Sequence, residues 1–359
     1  MSNQQTFLEA MQQRGISRRA FMKFATITAS SLALTGKQAK VFADYLSCSV
    51  KPRVIWLSFQ QCTGCSESLL RAFNNPLSPP PSPCDANVPP QAASISVENL
   101  ILNFISLDYH ETLQVAAGYQ AEKARNVSME TPGYVLIVDG SIPTGTAEYW
   151  SCAAGNSNLA TLKEALSGAA LVIALGTCAT YGGIPKANPN PSNAKGYQDL
   201  ITAGLLPGVT VNSPPLINLS GCPPMAQVIT GTIAYYLAYR ALPTFDSTSL
   251  RRPAVFYGTS VHTTCPRYSH WLANEFATSH GDEKARKGWC LLHLGCRGPE
   301  VRNACTNLGW NKDPSDNPAT ILNNSPMHTG HGCIGCSEPD FWDTGLTGRF
   351  SKGFYTIQQ

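Results

Sequence analysis

The sequence predicts an α/β fold, with a parallel sheet flanked by helices across residues 51–242 and a largely irregular region across residues 243–359. Up to about Arg240, strand-like apolar runs alternate with helical patterns, and such alternation builds a parallel sheet covered on both faces. After Leu242 the alternation fades, and Cys, Gly, His and Pro dominate. The chain carries 13 cysteines in 359 residues. The count is odd, so they cannot all pair within one chain, and bound metal can supply the order that apolar periodicity does not.

The N-terminus reads as an address. Residues 17–24 are SRRAFMKF, with Arg18, Arg19, Phe21 and Lys23 in the pattern of a twin-arginine export signal. A mild apolar stretch follows at 25–35, and Val41-Phe42-Ala43 marks a cleavage site. Residues 1–43 are therefore expected to be a signal peptide outside the fold. Twin-arginine export moves folded proteins, so a metal-rich chain can be assembled in the reducing cytoplasm and work in the periplasm.

Apolar runs at 54–59 (VIWLSF), 100–107 (LILNFISL), 134–140 (YVLIVDG), 170–176 (ALVIALG) and 216–221 (LINLSG) read as buried strands. Helical patterns lie at 67–73, 112–125 and 158–168, the last ending at Gly168. Residues 225–240 come nearest to a membrane span, but they are short of the ~20 apolar residues required and carry three tyrosines and Arg240. They read as a core helix, and no transmembrane segment is expected. Proline-rich residues 75–91 and residues 182–196 read as loops.

Charged residues make up 14% of the chain, against roughly 25% in soluble domains, which fits either a surface hidden against a partner or a large core. Net charge is +3 and no basic run carries interleaved aromatics, which argues against nucleic acid. No nucleophile elbow, P-loop or dinucleotide fingerprint is present.

The cysteines fall into three sets. Cys62, Cys65, Cys178 and Cys222 each follow an apolar strand run, so parallel strands deliver them to one sheet edge, where ligands sit in such folds. Four converging thiolates suit a [4Fe–4S] cluster. His262, Cys265, Cys290 and Cys296 form a second set in the tail, and three thiolates with one imidazole suit zinc as well as iron–sulfur. Cys305, Cys333 and Cys336 form a third. Three thiolates suit a [3Fe–4S] cluster, while His328 or His331 would complete a zinc site. Cys48 and Cys84 lie outside the motifs and are candidates for a disulfide after export. Cys152 is expected to be a packed core thiol.

The series SRRxF, CTGCSES, ISLDYHETL, GTCATYGG, SGCPP, KGWCLLHLGCRGPE and GHGCIGCSEPDFWD resembles the small subunit of [NiFe]-hydrogenases, in order and over nearly the whole mature chain. The resemblance implies a flavodoxin-like N-terminal domain over 51–242 and a cluster-binding C-terminal domain over 243–359. It implies Cys62, Cys65, Cys178 and Cys222 as ligands of a proximal [4Fe–4S] cluster, and Cys305, Cys333 and Cys336 as ligands of a medial [3Fe–4S] cluster. His262, Cys265, Cys290 and Cys296 would hold a distal [4Fe–4S] cluster. It further implies an obligate heterodimer with a large subunit that holds the nickel–iron site, no catalytic residue in this chain, and a cytochrome b, cytochrome c or iron–sulfur protein as electron acceptor. Membrane association would come through such a partner. Gly64 and Gly183 stand where oxygen-tolerant members carry extra cysteines, Gln61 stands where Glu is usual, and Pro326 stands where a fourth medial cysteine would be. Two rival readings are a stand-alone electron carrier and a zinc-stapled interaction protein. A third, the homologous subunit of a quinone-reducing respiratory complex, resembles the first half alone.

Overall fold

The computed structural model describes residues 51–72, 105–239, 241–310 and 325–343, with Ser17, Val97, Leu100 and Ile101 besides. The export signal, Cys48, Cys84, the proline-rich 75–91 segment and most of 311–325 lie outside the described residues.

The chain enters through β1 (Arg53–Ser58) and α1 (Gly64–Leu70), then β2 (Ser106–His110), α2 (Gly118–Met129) and β3 (Tyr134–Asp139). A two-stranded hairpin follows, β4 (Cys152–Ala153) and β5 (Asn156–Ser157), and then α3 (Asn158–Leu166), β6 (Ala169–Leu175), α4 (Gly176–Tyr181), α5 (Tyr197–Thr202), β7 (Leu216–Leu219) and α6 (Ala226–Tyr239). The five-stranded sheet has the order β2-β1-β3-β6-β7, with every neighbouring pair parallel. Counted over these five strands, that is the 2-1-3-4-5 order of the flavodoxin-like fold.

Side chains alternate across a strand, and both faces of this sheet are covered, so the middles of its inner strands are apolar on both faces. Val54, Trp56, Ile137 and Ile173 pack on one face with Val228, Ile229 and Ile233 of α6. Ile55, Leu57, Leu136 and Val172 pack on the other with Leu159 and Leu162 of α3 and Leu200 of α5. The expected core helix at 225–240 is thus α6, and among the described residues no helix is long and apolar enough to cross a membrane.

Three elements differ from expectation. The second strand is not the 100–107 run but Ser106–His110. It lies at the sheet edge, where a strand needs less apolar surface, and its register is held by Arg53 Nε on Asp108 Oδ2 at 2.5 Å. The helix expected at 112–125 begins at Gly118, because His110 O accepts from the N–H groups of Leu113 and Gln114 and holds that stretch in a turn. The 67–73 pattern begins earlier, at Gly64. Ser157 caps α3 by accepting from Ala160 N. Gly168 follows that helix and packs where a Cβ would stand 2.9 Å from the Tyr134 ring.

Beyond Arg240 the described regular structure is short: α7 (Ala254–Tyr257), α8 (Tyr268–Leu272), α9 (Glu283–Arg286) and α10 (Cys305–Leu308), with single 3₁₀ turns at Leu292–Leu294 and Gly298–Glu300. An irregular tail is what the sequence predicts. It is fastened to the sheet by Arg251, whose Nε donates to Leu216 O of β7 at 3.1 Å and whose carbonyl accepts from Asn218 N, and it is tied internally by Arg252, which is 1% exposed. That guanidinium meets Asp246 at 2.7 Å and Glu338 at 3.0 Å, and donates to Ser337 O.

Candidate metal centres

The first set assembles at the C-terminal edge of the sheet, as its positions predicted. Cys62 and Cys65 follow β1, Cys178 lies in α4 directly after β6, and Cys222 follows β7. Thr177 holds two of these loops together: its N–H donates to Gly221 O at 2.8 Å, and its Oγ1 accepts from Gly221 N at 2.9 Å. The same hydroxyl donates to Cys336 O in the third set. A Cβ at Gly176 would stand 2.5 Å from Cys65 Sγ, and one at Gly183 would stand 2.5 Å from Cys178 Sγ. The thiols thus sit against bare backbone, where only glycine leaves room.

Burial pushes the Cys65 thiol well above its ordinary value, reinforced by Asp139, Cys178 and Cys62. It pushes Cys178 up to about 12 and Cys222 up to about 11, again reinforced by neighbouring thiols. Mutually close buried thiolates need a positive centre between them, and bound iron supplies one. Gln61 Oε1 accepts from Thr63 N, so this amide supports the turn that places Cys62 and Cys65.

In the second set, His262, Cys265, Cys290 and Cys296 line one cavity. His262 Nε2 is buried without a hydrogen-bond partner, and burial lowers the imidazole below its ordinary value. A neutral imidazole with a buried, unpartnered nitrogen suits a metal ligand. Its ring is held edge-on by Tyr268 at 5.0 Å and Trp271 at 4.7 Å. Backbone N–H groups point at the thiols: Arg267 N to Cys265 Sγ at 3.4 Å and Gly298 N to Cys296 Sγ at 3.5 Å.

In the third set, Cys305 opens α10, while Cys333 and Cys336 lie on the loop that the Arg252 network holds. Burial raises all three thiols, Cys305 to about 12. The histidines considered as a fourth ligand are engaged elsewhere through Nδ1, His328 by Ser325 Oγ at 2.6 Å and His331 by Gly332 O at 2.7 Å. Among the described residues no three His, Cys, Asp or Glu side chains close on a point as ligands of a single ion.

The sets adjoin one another, but not in chain order. Cys222 of the first faces Cys336 of the third. Cys333 of the third donates its N–H to Cys296 Sγ of the second at 3.2 Å. The third set therefore lies between the other two.

One cysteine expectation is corrected. Cys152 is exposed, because it lies on the β4–β5 hairpin opposite Ser157, outside the sheet's core. Sequence reasoning also missed Asp139, a buried carboxyl 3.4 Å from Trp56 Nε1 that burial raises to about 7. Its position at the C-terminal end of a buried strand could have identified it. The buried Arg252, Arg267 and Arg297 had no such signal, because exposed arginines such as Arg286 and Arg302 lie in the same tail.

Known proteins share this organisation. A family model described as NADH ubiquinone oxidoreductase, 20 Kd subunit matches residues 82–236. A second, describing the C-terminal part of the NiFe/NiFeSe hydrogenase small subunit, matches residues 257–347. The Periplasmic [NiFe] hydrogenase small subunit 1 of Nitratidesulfovibrio vulgaris is 42% identical over 336 residues, 93% of each chain. The chain belongs to the [NiFe]-hydrogenase small-subunit family. It is accordingly a component of a hydrogen oxidoreductase. The Periplasmic [NiFe] hydrogenase small subunit of Solidesulfovibrio fructosivorans is 38% identical over 95% of each chain. Among solved structures, the H2-activated [NiFeSe]-hydrogenase of Dm. baculatum aligns with a TM-score of 0.66 at 26% identity, over 84% of this chain and 99% of that one. The respiratory-complex model stops at residue 236, before the second and third sets begin, so that resemblance is confined to the sheet half.

Proposed function

We propose that this chain carries electrons one at a time between the nickel–iron site of a large subunit and an external acceptor, in the direction of H2 oxidation. Cys62, Cys65, Cys178 and Cys222 would hold a proximal [4Fe–4S] cluster. Cys305, Cys333 and Cys336 would hold a medial [3Fe–4S] cluster, and His262, Cys265, Cys290 and Cys296 a distal [4Fe–4S] cluster. Iron–sulfur clusters supply one-electron redox chemistry, which zinc does not.

The observation that carries this reading is the continuity of the three sets. Cys222 adjoins Cys336, and Cys333 is hydrogen-bonded to Cys296. Three independent zinc staples have no need to share neighbours, whereas an electron path has. The protein's own contribution is rigidity: Thr177 and Arg252 fix the loops. The proximal edge would face the large subunit, with which the chain forms an obligate heterodimer. The export-signal pattern and the periplasmic relatives support assembly in the cytoplasm and work in the periplasm, which favours hydrogen uptake. A cytochrome b, a cytochrome c or an iron–sulfur protein would accept electrons at the distal end.

Iron, acid-labile sulfide, nickel and zinc assayed on the complex purified through this chain test the reading. About eleven irons per chain, from two four-iron sites and one three-iron site, with matching sulfide and co-purified nickel, are expected. Stoichiometric zinc without sulfide overturns it and leaves a stapled interaction protein.

A further inference from the structure

Arg267 is 8% exposed, and an arginine stays protonated inside proteins. A buried charge is costly unless another group offsets it. Its side chain bonds to three backbone carbonyls: Nε donates to Met327 O at 2.7 Å, and Nη1 donates to Ala285 O at 3.0 Å and to Trp289 O at 2.7 Å. Carbonyls offer partial charge only. Two other buried tail arginines have carboxylates, Arg252 with Asp246 and Glu338 and Arg297 with Glu300 at 3.5 Å, while Arg251 donates to Leu216 O of β7 and to Asn212 Oδ1, away from any thiol in its own contacts. Among the described residues no carboxylate stands within ion-pair distance of Arg267. It lines the cavity of His262, Cys265, Cys290 and Cys296, and the acidic groups that face it are those three thiols.

We propose that Arg267 is the internal counter-charge of the distal site, a fixed cation that favours the electron-loaded state there and so raises its reduction potential. The proposal rests on the reading of that set as cluster ligands. Reduction adds one negative charge to a buried site that three thiolates already make negative, and a nearby guanidinium offsets it. A higher distal potential draws electrons outward along the chain. Arg267 is also a positioning residue, because its three carbonyl partners belong to the 325–330 turn, to α9 and to the segment just before Cys290. The test must therefore separate charge from scaffolding.

The two-subunit enzyme carrying Arg267→Gln, Arg267→Met or Arg267→Lys is titrated redox-potentiometrically with EPR detection. The distal signal is taken as the one altered in a His262→Cys companion. Iron and sulfide are assayed in parallel, and either neutral variant that assembles serves. In the neutral variants the equilibrium constant for loading the distal cluster should fall about tenfold, equivalent to ~59 mV for one electron, while the lysine variant stays near the wild type. Equal potentials in all four enzymes overturn the proposal, and so does an equal fall in the lysine and neutral variants, which would mark a structural role. If the wild type shows no distal signal at all, the cluster reading fails first and the proposal with it.

Discussion

The N–H of Cys333 donates to Cys296 Sγ at 3.2 Å, and Arg297 N donates back to Cys333 O at 2.8 Å. This reciprocal pair joins the second and third cysteine sets through bonded backbone. Gly332 sits within it, and a Cβ there would stand 2.9 Å from Cys296 Cα. Gly332→Val should therefore push the two loops apart, at a cost of about 1–3 kcal/mol for overpacking. The variant should unfold at lower temperature and show slower H2-dependent dye reduction. Unchanged values for both would remove the link from the account.

Oxygen response follows from Gly64 and Gly183. Extra cysteines at these places mark oxygen-tolerant members, and here glycine occupies both. At Gly183, with φ +61°, a Cβ would stand 2.5 Å from Cys178 Sγ, so the site is built around a bare backbone. The enzyme should lose H2-oxidation current when air is admitted to an electrode cell. A sustained current in air contradicts this.

His110 gives a pH dependence of stability. It is 1% exposed, accepts from Thr112 N through Nδ1 and lies 3.3 Å from Ser66 Oγ through Nε2. Burial lowers its pKa from 6.5 to about 4. Between those values the unfolded chain binds a proton that the folded chain refuses. Stability is therefore full above about pH 6.5 and declines as pH falls toward 4. Thermal unfolding from pH 7.5 to 4 should show a shallower acid decline in His110→Gln than in the wild type. Parallel curves would mean that His110 is not a source of the acid response.

The buried Arg252 network makes a stability prediction. Arg252→Met leaves Asp246 and Glu338 buried, at 4% and 6% side-chain exposure, without their cation. Breaking such a pair costs about 3–5 kcal/mol. Because Arg252 also holds Ser337 O beside Cys336, medial-cluster content should fall together with the unfolding temperature. Loss of neither would make the network dispensable.

Pro326 lies in a turn between buried Ser325 and Met327, and Met327 packs in one cluster with Cys333. Pro326→Cys should add the fourth thiolate, convert the medial site to [4Fe–4S] and lower its potential. EPR checks this directly, since a three-iron signal that persists in the variant defeats it.

The fold was legible because buried parallel strands write themselves as apolar runs: 54–59, 134–140, 170–176 and 216–221 all became sheet strands. The edge strand was misplaced because Ser106–His110 owes its register to Arg53 and Asp108 rather than to apolarity. Strand ends also revealed the first cysteine set, since each cysteine follows one. The tail was different. Motif spacing named its cysteines, but their spatial order, with Cys333 and Cys336 between the other sets, depends on contacts between segments far apart in sequence. Cys152 was misread because a short hairpin has no periodicity to mark it as exposed. Arg267 became visible only when its partners proved to be carbonyls and thiols.

Low-temperature EPR on the anaerobically purified, mildly oxidised two-subunit enzyme tests the electron-path account most directly. The account predicts a [3Fe–4S]⁺ signal close to one spin per chain, lost in a Cys305→Ser variant. A preparation with the large subunit bound and full iron content but no three-iron signal would contradict the assignment of Cys305, Cys333 and Cys336 as the middle of the path.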